Sequence, residues 1–217
     1  MSNVTNNEKV TVAYFFSIGR KSIAFAFWSM AIDRVRSRKF TGISFSKLLG
    51  TGTGRTFTPS DADLTRWGMV VVVDKNRLAD FDSSSIVTNW RKRSTSEFRA
   101  VLSPLSSHGQ WAKTNPFDFT SQLSAPDAQI AAITRARIKW RKNLRFWGAV
   151  PPVVTDLHNS PGLISAIGIG EAPIGLQGTF SLWQSASALR DFAYKGQAHQ
   201  VAIKQTESIG WYSEELF

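Results

Sequence analysis

The pattern of apolar and polar positions along the chain predicts β-strands that alternate with helices. Val10–Phe16 is apolar and rich in β-branched residues, and Trp67–Asp74 contains the unbroken apolar run Met69–Val73. The first composition favours a strand, and an unbroken apolar run is typical of a strand buried on both faces. By the same criteria, the remaining predicted strands are Gly42–Leu49, Glu97–Leu105, Ala128–Ile138, Gly162–Gly170 and Gln177–Gln184.

Helical spacing predicts helices between these strands. The apolar face of the first predicted helix, Ser22–Arg36, comprises Ile23, Phe27, Met30 and Ala31. Asp33, Arg34 and Arg36 fall outside that face. The other predicted helices are Ser83–Arg93, Trp140–His158 with an interruption at Pro151-Pro152, and Ser187–Ser208 with a break at Gly196. Gly50–Asp63 is rich in Gly, Thr and Ser, which predicts a loop.

An internal repeat organises these elements. Three segments of the first half have counterparts, in the same order, in the second half: Gly42–Gly50 with Gly162–Gly170, Phe27-Trp28 with Phe146-Trp147, and Asp80-Phe81 with Asp191-Phe192. Each half then reads as a β-α-β-β-α-β unit, which is the ferredoxin-like arrangement. We therefore predict an α+β protein, with a disordered N-terminus at 1–9 and tandem ferredoxin-like repeats at 10–120 and 121–217. The two sheets would pack face to face as a dimeric α/β-barrel-like fold within one chain.

The predicted closing strand of the second repeat has barely begun where the sequence reaches Phe217. We therefore expect an unfinished sheet edge at that point.

The chain of 217 residues carries a formal net charge of +10. Its basic residues concentrate in three clusters: Arg34-Arg36-Arg38-Lys39, Arg91-Lys92-Arg93, and Arg135-Arg137-Lys139-Arg141-Lys142-Arg145. Such a field favours an acidic protein, an anionic membrane surface or nucleic acid, although each cluster taken alone could be a solvated face. Nucleic acid ranks last, because the chain has no recognised reading motif and its aromatic residues look buried.

The absence of cysteine excludes disulfides, thiolate-ligated haem and cysteine-ligated iron–sulfur clusters. The three histidines, His108, His158 and His199, lack the spacing of a zinc site. We expect His158 to be exposed beside the turn Asn159-Ser160-Pro161, and His108 to lie in a loop. Neither a signal peptide nor an apolar stretch long enough to cross a bilayer is evident, so the sequence predicts a cytoplasmic protein.

Two common active-site motifs are absent. Gly50-Thr-Gly-Thr-Gly54 is not followed by the Lys-Ser/Thr pair of a phosphate-binding loop, and no G-x-S-x-G hydrolase motif occurs. His199 borders the apolar residues Ala198, Val201 and Ala202, so it is either a partly buried structural histidine or a ligand. The many aromatic residues fill a core, line a cavity for a large apolar ligand, or do both.

Several glycine-rich and aromatic segments together resemble one known family. These segments are Lys47–Pro59, Gly168–Pro173, Gly178–Trp183, Phe192–Tyr194, His199, Ala202-Ile203, Thr206 and Gly210–Phe217. The chain resembles the spheroidene monooxygenase family over roughly Val10 to Phe217. That resemblance implies oxidation of C2 of an acyclic carotenoid to a ketone, with haem b, molecular oxygen and electrons from reduced ferredoxin.

The resemblance also implies roles for individual residues. His199 lies inside the matched C-terminal pattern and is expected to be the axial ligand of the haem iron. The other expected cofactor-binding residues are Arg145, Phe180 and Trp147, and Lys139 and Lys195 are further candidates to pair with haem propionates. The expected substrate pocket comprises Phe27, Trp28, Phe146, Trp183, Tyr194 and Trp211. The basic surface would bind an acidic ferredoxin and hold the enzyme at an anionic membrane.

Three alternatives remain open at this point. The first is a non-catalytic haem-binding or haem-transfer protein, which would take up haem without oxidising a substrate. The second is a cofactor-free oxygenase on the same fold, which would bind no haem. The third is a nucleic-acid-binding protein, which rests on charge alone.

Overall fold

The computed structural model describes residues 8–54, 59–118, 128–139, 141, 153–171, 176–195 and 212–217. These residues form an α+β structure with antiparallel strands, which confirms the predicted α+β class. The chain divides into two compact units. The first comprises Met1–Leu49, Leu64–Ser106 and Pro116–Ser121, and the second comprises Gly50–Asp63, Ser107–Asn115 and Gln122–Phe217.

The described residues of the first unit form four strands and three α-helices. In chain order they are β1 (Lys9–Ile18), α1 (Ile23–Lys39), β2 (Ile43–Gly52), β3 (Ala62–Asp74), α2 (Leu78–Ser83), α3 (Ser85–Arg91) and β4 (Ser94–Leu102). The strand order is β4-β1-β3-β2. Tyr14 and Phe16 on β1 are buried against Phe81 of α2 and Trp90 of α3, so helices cover this face of the sheet.

The described residues of the second unit have a similar order of elements, with a single helix where the first unit has α2 and α3. They are β5 (Ile130–Ile138), the helix α4 at 153–159, β6 (Leu163–Gly170), β7 (Leu176–Trp183), α5 (Ala186–Lys195) and β8 (Tyr212–Leu216). The strand order is β6-β7-β5-β8. In each unit the first strand therefore lies between the third and the fourth. The final residues of β2, Gly50–Gly52, belong to this unit and pair with β6.

All seven predicted strands exist, with shifted boundaries. The predicted loop Gly50–Asp63 is wrong at both ends, because β2 continues to Gly52 through its pairing with β6 and β3 already begins at Ala62. The predicted helix Ser83–Arg93 corresponds to α3, and the helix α2 before it was not predicted; the extended backbone of Ser84 separates the two. Most of the predicted helix Trp140–His158 and the second half of Ser187–Ser208 lie outside the described residues.

The expected unfinished sheet edge is also wrong. β8 pairs with β5 on one side, and on its other side Gly109 forms a bridge with Leu216. His108 and Phe217 exchange two backbone hydrogen bonds of 2.8 Å. The loop around His108 therefore satisfies the backbone groups that an edge strand would otherwise leave open.

Helix α1 differs most from the prediction. Its buried residues are Ala26, Ser29, Asp33 and Ser37, whereas Phe27 and Ala31 of the predicted apolar face are exposed. The buried polar groups are satisfied locally: Ser37 and Ser46 share a hydrogen bond of 2.8 Å, and Arg36 Nη1 donates to Asp33 Oδ1 at 3.0 Å. Hydrogen bonding of this kind is what makes a polar helix face tolerable in a core.

Candidate functional site

Three of the glycine-rich and aromatic segments singled out in the sequence form adjacent strands of the second unit. Gly50, Thr51 and Gly52 pair with Gly170, Ile169 and Gly168. The same stretch of β6 pairs on its other side with β7, where Ile169 lies opposite Gly178. Segments that are far apart in sequence therefore meet side by side, and we take this part of the second unit as the candidate site.

Close backbone contact explains two of the glycines. Gly54 has φ +71°, and a Cβ atom at that position would lie 3.0 Å from the backbone nitrogen of Gly168. Most residues avoid this backbone conformation, and the neighbouring group is backbone that has little room to move. At Gly178 an added Cβ would collide with the carbonyl oxygen of Thr134 on β5. The glycines thus allow the strands to approach closely.

A buried cluster of charges lies next to these strands. Arg135 on β5 is 2% exposed. Its Nη2 donates to Glu171 Oε1 at 3.1 Å, and its Nη1 donates to Glu214 Oε1. The indole Nε1 of Trp111 donates to the same Glu171 oxygen at 2.7 Å, and the Arg135 guanidinium lies 5.8 Å from the Trp111 ring centroid. We call Trp111, Arg135, Glu171 and Glu214 the Arg135 cluster.

Glu214 also holds a strained turn. Ala112 and Lys113 have φ values of 57° and 64°, which are rare for residues other than glycine. Their backbone N–H groups donate to Glu214 at 3.1 and 2.7 Å. Burial tends to raise the pKa of Glu214, but these two hydrogen bonds and Arg135 outweigh burial, so the pKa is lowered. The carboxylate therefore stays ionised and ties β8 to this turn.

The two faces of β7 have different surroundings. Phe180 pairs with Ile133 and Gly178 pairs with Arg135, so Phe180 shares the sheet face of the Arg135 cluster. Trp183 points to the opposite face, where its ring stacks on Phe192 of α5 with centroids 5.3 Å apart. Its indole Nε1 donates to Ser181 at 2.9 Å, and Trp183 is fully buried. Phe180 and Trp183 thus serve different sides of the sheet.

The other predicted pocket residues that are described lie at the surface. Phe27 and Trp28 on α1 are exposed, and Phe27 also contacts the edge of the Trp67 ring. Tyr194, near the end of α5, is exposed as well. Trp183 alone, among the four predicted pocket residues that the structure describes, is enclosed by protein on all sides.

Several predicted site residues fall outside the described residues, and their roles remain predictions. They are His199, Arg145, Phe146, Trp147 and Trp211, together with the side chain of Lys195. Lys139, at the end of β5, is exposed. His158 is exposed as predicted and lies in α4, and His108 is also exposed. No group of three or more potential metal-ligating side chains occurs among the described residues.

A second charged network lies in the first unit. The buried hydroxyl of Tyr14 donates to Asp82 Oδ1 at 2.9 Å. Arg99 and Arg91 also donate to this carboxylate, at 2.5 to 3.1 Å. Burial tends to raise the pKa of Asp82, but Arg99 and Tyr14 lower it more, so its pKa lies below the usual range. This network fastens α2 to β1 and β4.

Sequence reasoning missed the residues of both networks. Arg135 was counted in a basic cluster that could bind an acidic partner or form a solvated face, and its burial was not predicted. The available signal was the presence of Glu171 and Glu214 inside two of the segments that carry the family resemblance. A buried arginine needs such carboxylate partners.

The chain is similar in sequence to three proteins named spheroidene monooxygenase. It is 31% identical over 207 residues to the spheroidene monooxygenase of Rhodobacter capsulatus, covering 92% of this chain and 83% of that protein. It is 33% identical to the spheroidene monooxygenase of Rubrivivax gelatinosus, covering 81% and 67%. Against that of Cereibacter sphaeroides it is 33% identical, but spans only 54% of the longer protein. No protein-family model matches the chain.

Solved structures show a related fold at low sequence identity. A crystal structure of an aldoxime dehydratase matches with a TM-score of 0.59 and 13% identity, covering 98% of this chain and 81% of that one. An aldoxime dehydratase in complex with butyraldoxime matches with a TM-score of 0.54 and 12% identity, covering 97% and 78%. At these identities the similarity concerns the fold alone.

Proposed function

The chain belongs to the spheroidene monooxygenase family, and we propose from this that it is a haem-dependent monooxygenase that introduces a keto group at C2 of acyclic carotenoids. The observation that carries the proposal is the sequence similarity over 92% of the chain, which includes the paired glycine segments of β2, β6 and β7. Molecular oxygen would be the oxidant and a reduced ferredoxin the electron donor. Two tandem ferredoxin-like repeats closed into a barrel remain our proposal for the whole fold.

Haem b is the cofactor that the donor chemistry of this chain fits. Without cysteine, histidine is the main remaining axial ligand. His108 and His158 are exposed, and the buried hydroxyl of Tyr14 is already held by Asp82. Neither histidine is therefore enclosed as an axial ligand in a haem pocket would be, and His199 is proposed as the ligand because it lies inside the C-terminal segments that carry the family resemblance. When bound, haem would supply the activation of oxygen.

The role proposed for the chain's own residues is to position the cofactor and exclude water. Arg145 and Lys139 are cations that could form charge-assisted hydrogen bonds with the propionates. Phe180 is buried on the sheet face that carries the Arg135 cluster, and it would present an apolar surface there. The Arg135 cluster has a supporting role, because Arg135 pairs with both Glu171 and Glu214 and so holds β5, β8 and the Trp111 turn together.

An acidic ferredoxin would bind to the exposed basic residues. Lys92 and Arg93, at the end of α3, are exposed and suited to this contact. We expect Lys92→Glu with Arg93→Glu to slow turnover driven by ferredoxin and to leave turnover driven by a small chemical reductant unchanged. Rising ionic strength should slow only the ferredoxin-driven reaction. If the double variant kept the parent's rate of ferredoxin-driven turnover, this docking site would be contradicted.

The proposal is tested by absorption spectroscopy of the purified protein supplied with haem. We expect a Soret band that is lost or shifted in His199→Ala and unchanged in His158→Ala, which is the matched control because His158 is exposed. A Soret band that His199→Ala leaves unchanged would mean that another residue is the axial ligand. A protein without any band would contradict the haem proposal and favour a cofactor-free oxygenase, and haem uptake without carotenoid oxidation would favour a haem-binding protein.

A further inference from the structure

Helix α1 has an exposed apolar row that its packing in the first unit leaves uncovered. Because the helix buries small and polar side chains, its larger apolar residues point outward. Phe27, Trp28 and Val35 are 55%, 70% and 51% exposed. The row follows the three- and four-residue spacing of one helix face. Its members are Ala24, Phe27, Trp28, Ala31, Ile32 and Val35, and we call this set the α1 stripe.

Basic residues frame the α1 stripe. Lys21 precedes the helix, Arg34 lies beside the stripe, and Arg38 and Lys39 follow it, and all four are exposed. Asp33 is the one acidic residue of the helix, and it is 2% exposed. The solvent-facing surface of α1 therefore combines apolar side chains with positive charge and carries no negative charge.

We infer that the α1 stripe is a docking surface for an anionic lipid bilayer, with the helix lying in the plane of the interface. A helix with aromatic and aliphatic residues on one side and cations around them is suited to this position. Its 17 residues extend for about 25 Å along the membrane surface. No helix among the described parts of the chain is long and apolar enough to span a bilayer.

Charge argues against a second copy of the chain as the occupant. Two α1 helices could pack in parallel or antiparallel orientation. Since cations stand at both ends, Lys21 before the helix and Arg38 and Lys39 at its end, either orientation would bring like charges together. A bilayer with anionic headgroups pairs with both ends at once.

The size of the α1 stripe argues against a protein partner. A stable protein interface buries about 800 Å² on each side and draws on some 20 to 30 residues. The stripe is one row on one helix, which is less than such an interface needs. Insertion into a fluid interface needs only the row and its cations.

The inference deepens the proposed function, since a carotenoid dissolves in the bilayer and an enzyme held at its surface can reach it. The inference rests on the proposed function only where it explains why the protein would need to reach the bilayer. Lipid binding is measured without carotenoid or haem, so a failed haem spectrum would leave it standing, and failed lipid binding would leave the spectroscopic test untouched.

The experiment is cosedimentation of the full chain with vesicles of phosphatidylcholine, with and without phosphatidylglycerol. We expect binding only when phosphatidylglycerol is present, and weaker binding at high salt. Trp28→Ser with Val35→Ser should lower the partition coefficient by a factor of about ten or more. Arg38→Glu with Lys39→Glu should lower it about fivefold or more for each residue. Val101→Ser is the matched control, because Val101 is similarly exposed on β4.

Fluorescence gives a second measurement on a variant that keeps the apolar surface. Lipids brominated near the headgroup should quench part of the tryptophan emission of the bound protein, and Trp28→Phe should remove that part. Vesicle binding that the stripe variants leave unchanged would overturn the inference. So would a dimer, seen by light scattering, that Trp28→Ser with Val35→Ser converts to monomer, because the stripe would then be covered by a second copy.

Discussion

Arg135 and Glu171 form a buried ion pair that links the middle of β5 to the residue following β6. Arg135 Nη2 lies 3.1 Å from Glu171 Oε1, and the two side chains are 3% and 11% exposed. Glu171 directly follows Gly170, the glycine that pairs with Gly50. The ion pair therefore connects Arg135 on β5 to the end of β6, where the glycine segments pair.

Loss of the Glu171 charge should destabilise the protein. In Glu171→Gln, the buried Arg135 would keep the ionised Glu214 as a partner but lose the negative charge of Glu171. We expect the free energy of unfolding to fall by about 2 kcal/mol, measured by urea denaturation. The control is Asp80→Asn, whose ion pair with Arg77 is exposed and should contribute less than about 1 kcal/mol. Equal effects of the two substitutions would contradict the role given to the cluster.

Glu214 should make stability depend on pH. Because the pKa of Glu214 is lower in the folded protein than usual, ionisation favours folding. This contribution is complete above the unfolded pKa of about 4.3 and is lost as the pH falls through the folded value. We expect Glu214→Gln to be less stable than the parent at neutral pH and the difference to shrink below about pH 4. Urea midpoints over a pH series measure this, and a difference independent of pH would be inconsistent with it.

In the first unit, Tyr14 should influence how stability depends on pH, through its hydrogen bond to Asp82. Its hydrogen bond helps to lower the pKa of Asp82, so Tyr14→Phe should raise that pKa and move acid unfolding to higher pH. The lost hydrogen bond should also reduce stability by about 1 kcal/mol. Tyr194→Phe is the control, since Tyr194 is exposed. An acid-unfolding midpoint that Tyr14→Phe does not shift would argue against this network.

The glycine contact should be sensitive to one methyl group. Gly54→Ala would force a left-handed backbone on alanine and place its Cβ 3.0 Å from the Gly168 nitrogen. We expect a loss of about 1–2 kcal/mol in unfolding free energy, and weaker haem uptake if the segment shapes the cofactor site. Gly19→Ala is the matched control: its φ is −68° and nothing lies within 4 Å of the added methyl group, so stability should hold or rise slightly.

The strands could be predicted from sequence because they contain either an unbroken apolar run, as a strand buried on both faces does, or an alternation of apolar and polar residues. The orientation of α1 could not, because an apolar row at helical spacing looks the same whether it faces a core or a membrane. Only the packing shows that Ser37 faces Ser46 and that Trp28 faces outward. The burial of Arg135 was also hidden, since its partners Glu171 and Glu214 are distant in sequence and the fold brings them together.

Of the predicted cofactor-binding residues, Phe180 lies among the described residues, whereas His199, Arg145 and Trp147 lie outside them. The pairing of the glycine segments was not predicted, although both segments were singled out, because strand pairing across the chain is a tertiary property. The roles of His199 and Arg145 stay predictions, and the spectroscopic test addresses the first of them directly.

The most direct test of the central claim is the product formed from an acyclic carotenoid. The purified protein would be supplied with haem, reduced ferredoxin and heavy-oxygen-labelled O2, and the carotenoid analysed by mass spectrometry under conditions that limit exchange of the ketone oxygen with water. We predict a C2 ketone whose oxygen carries the label, and no ketone with His199→Ala. A labelled ketone formed equally well by His199→Ala without haem, or no oxidised carotenoid with the parent protein loaded with haem, would contradict the account.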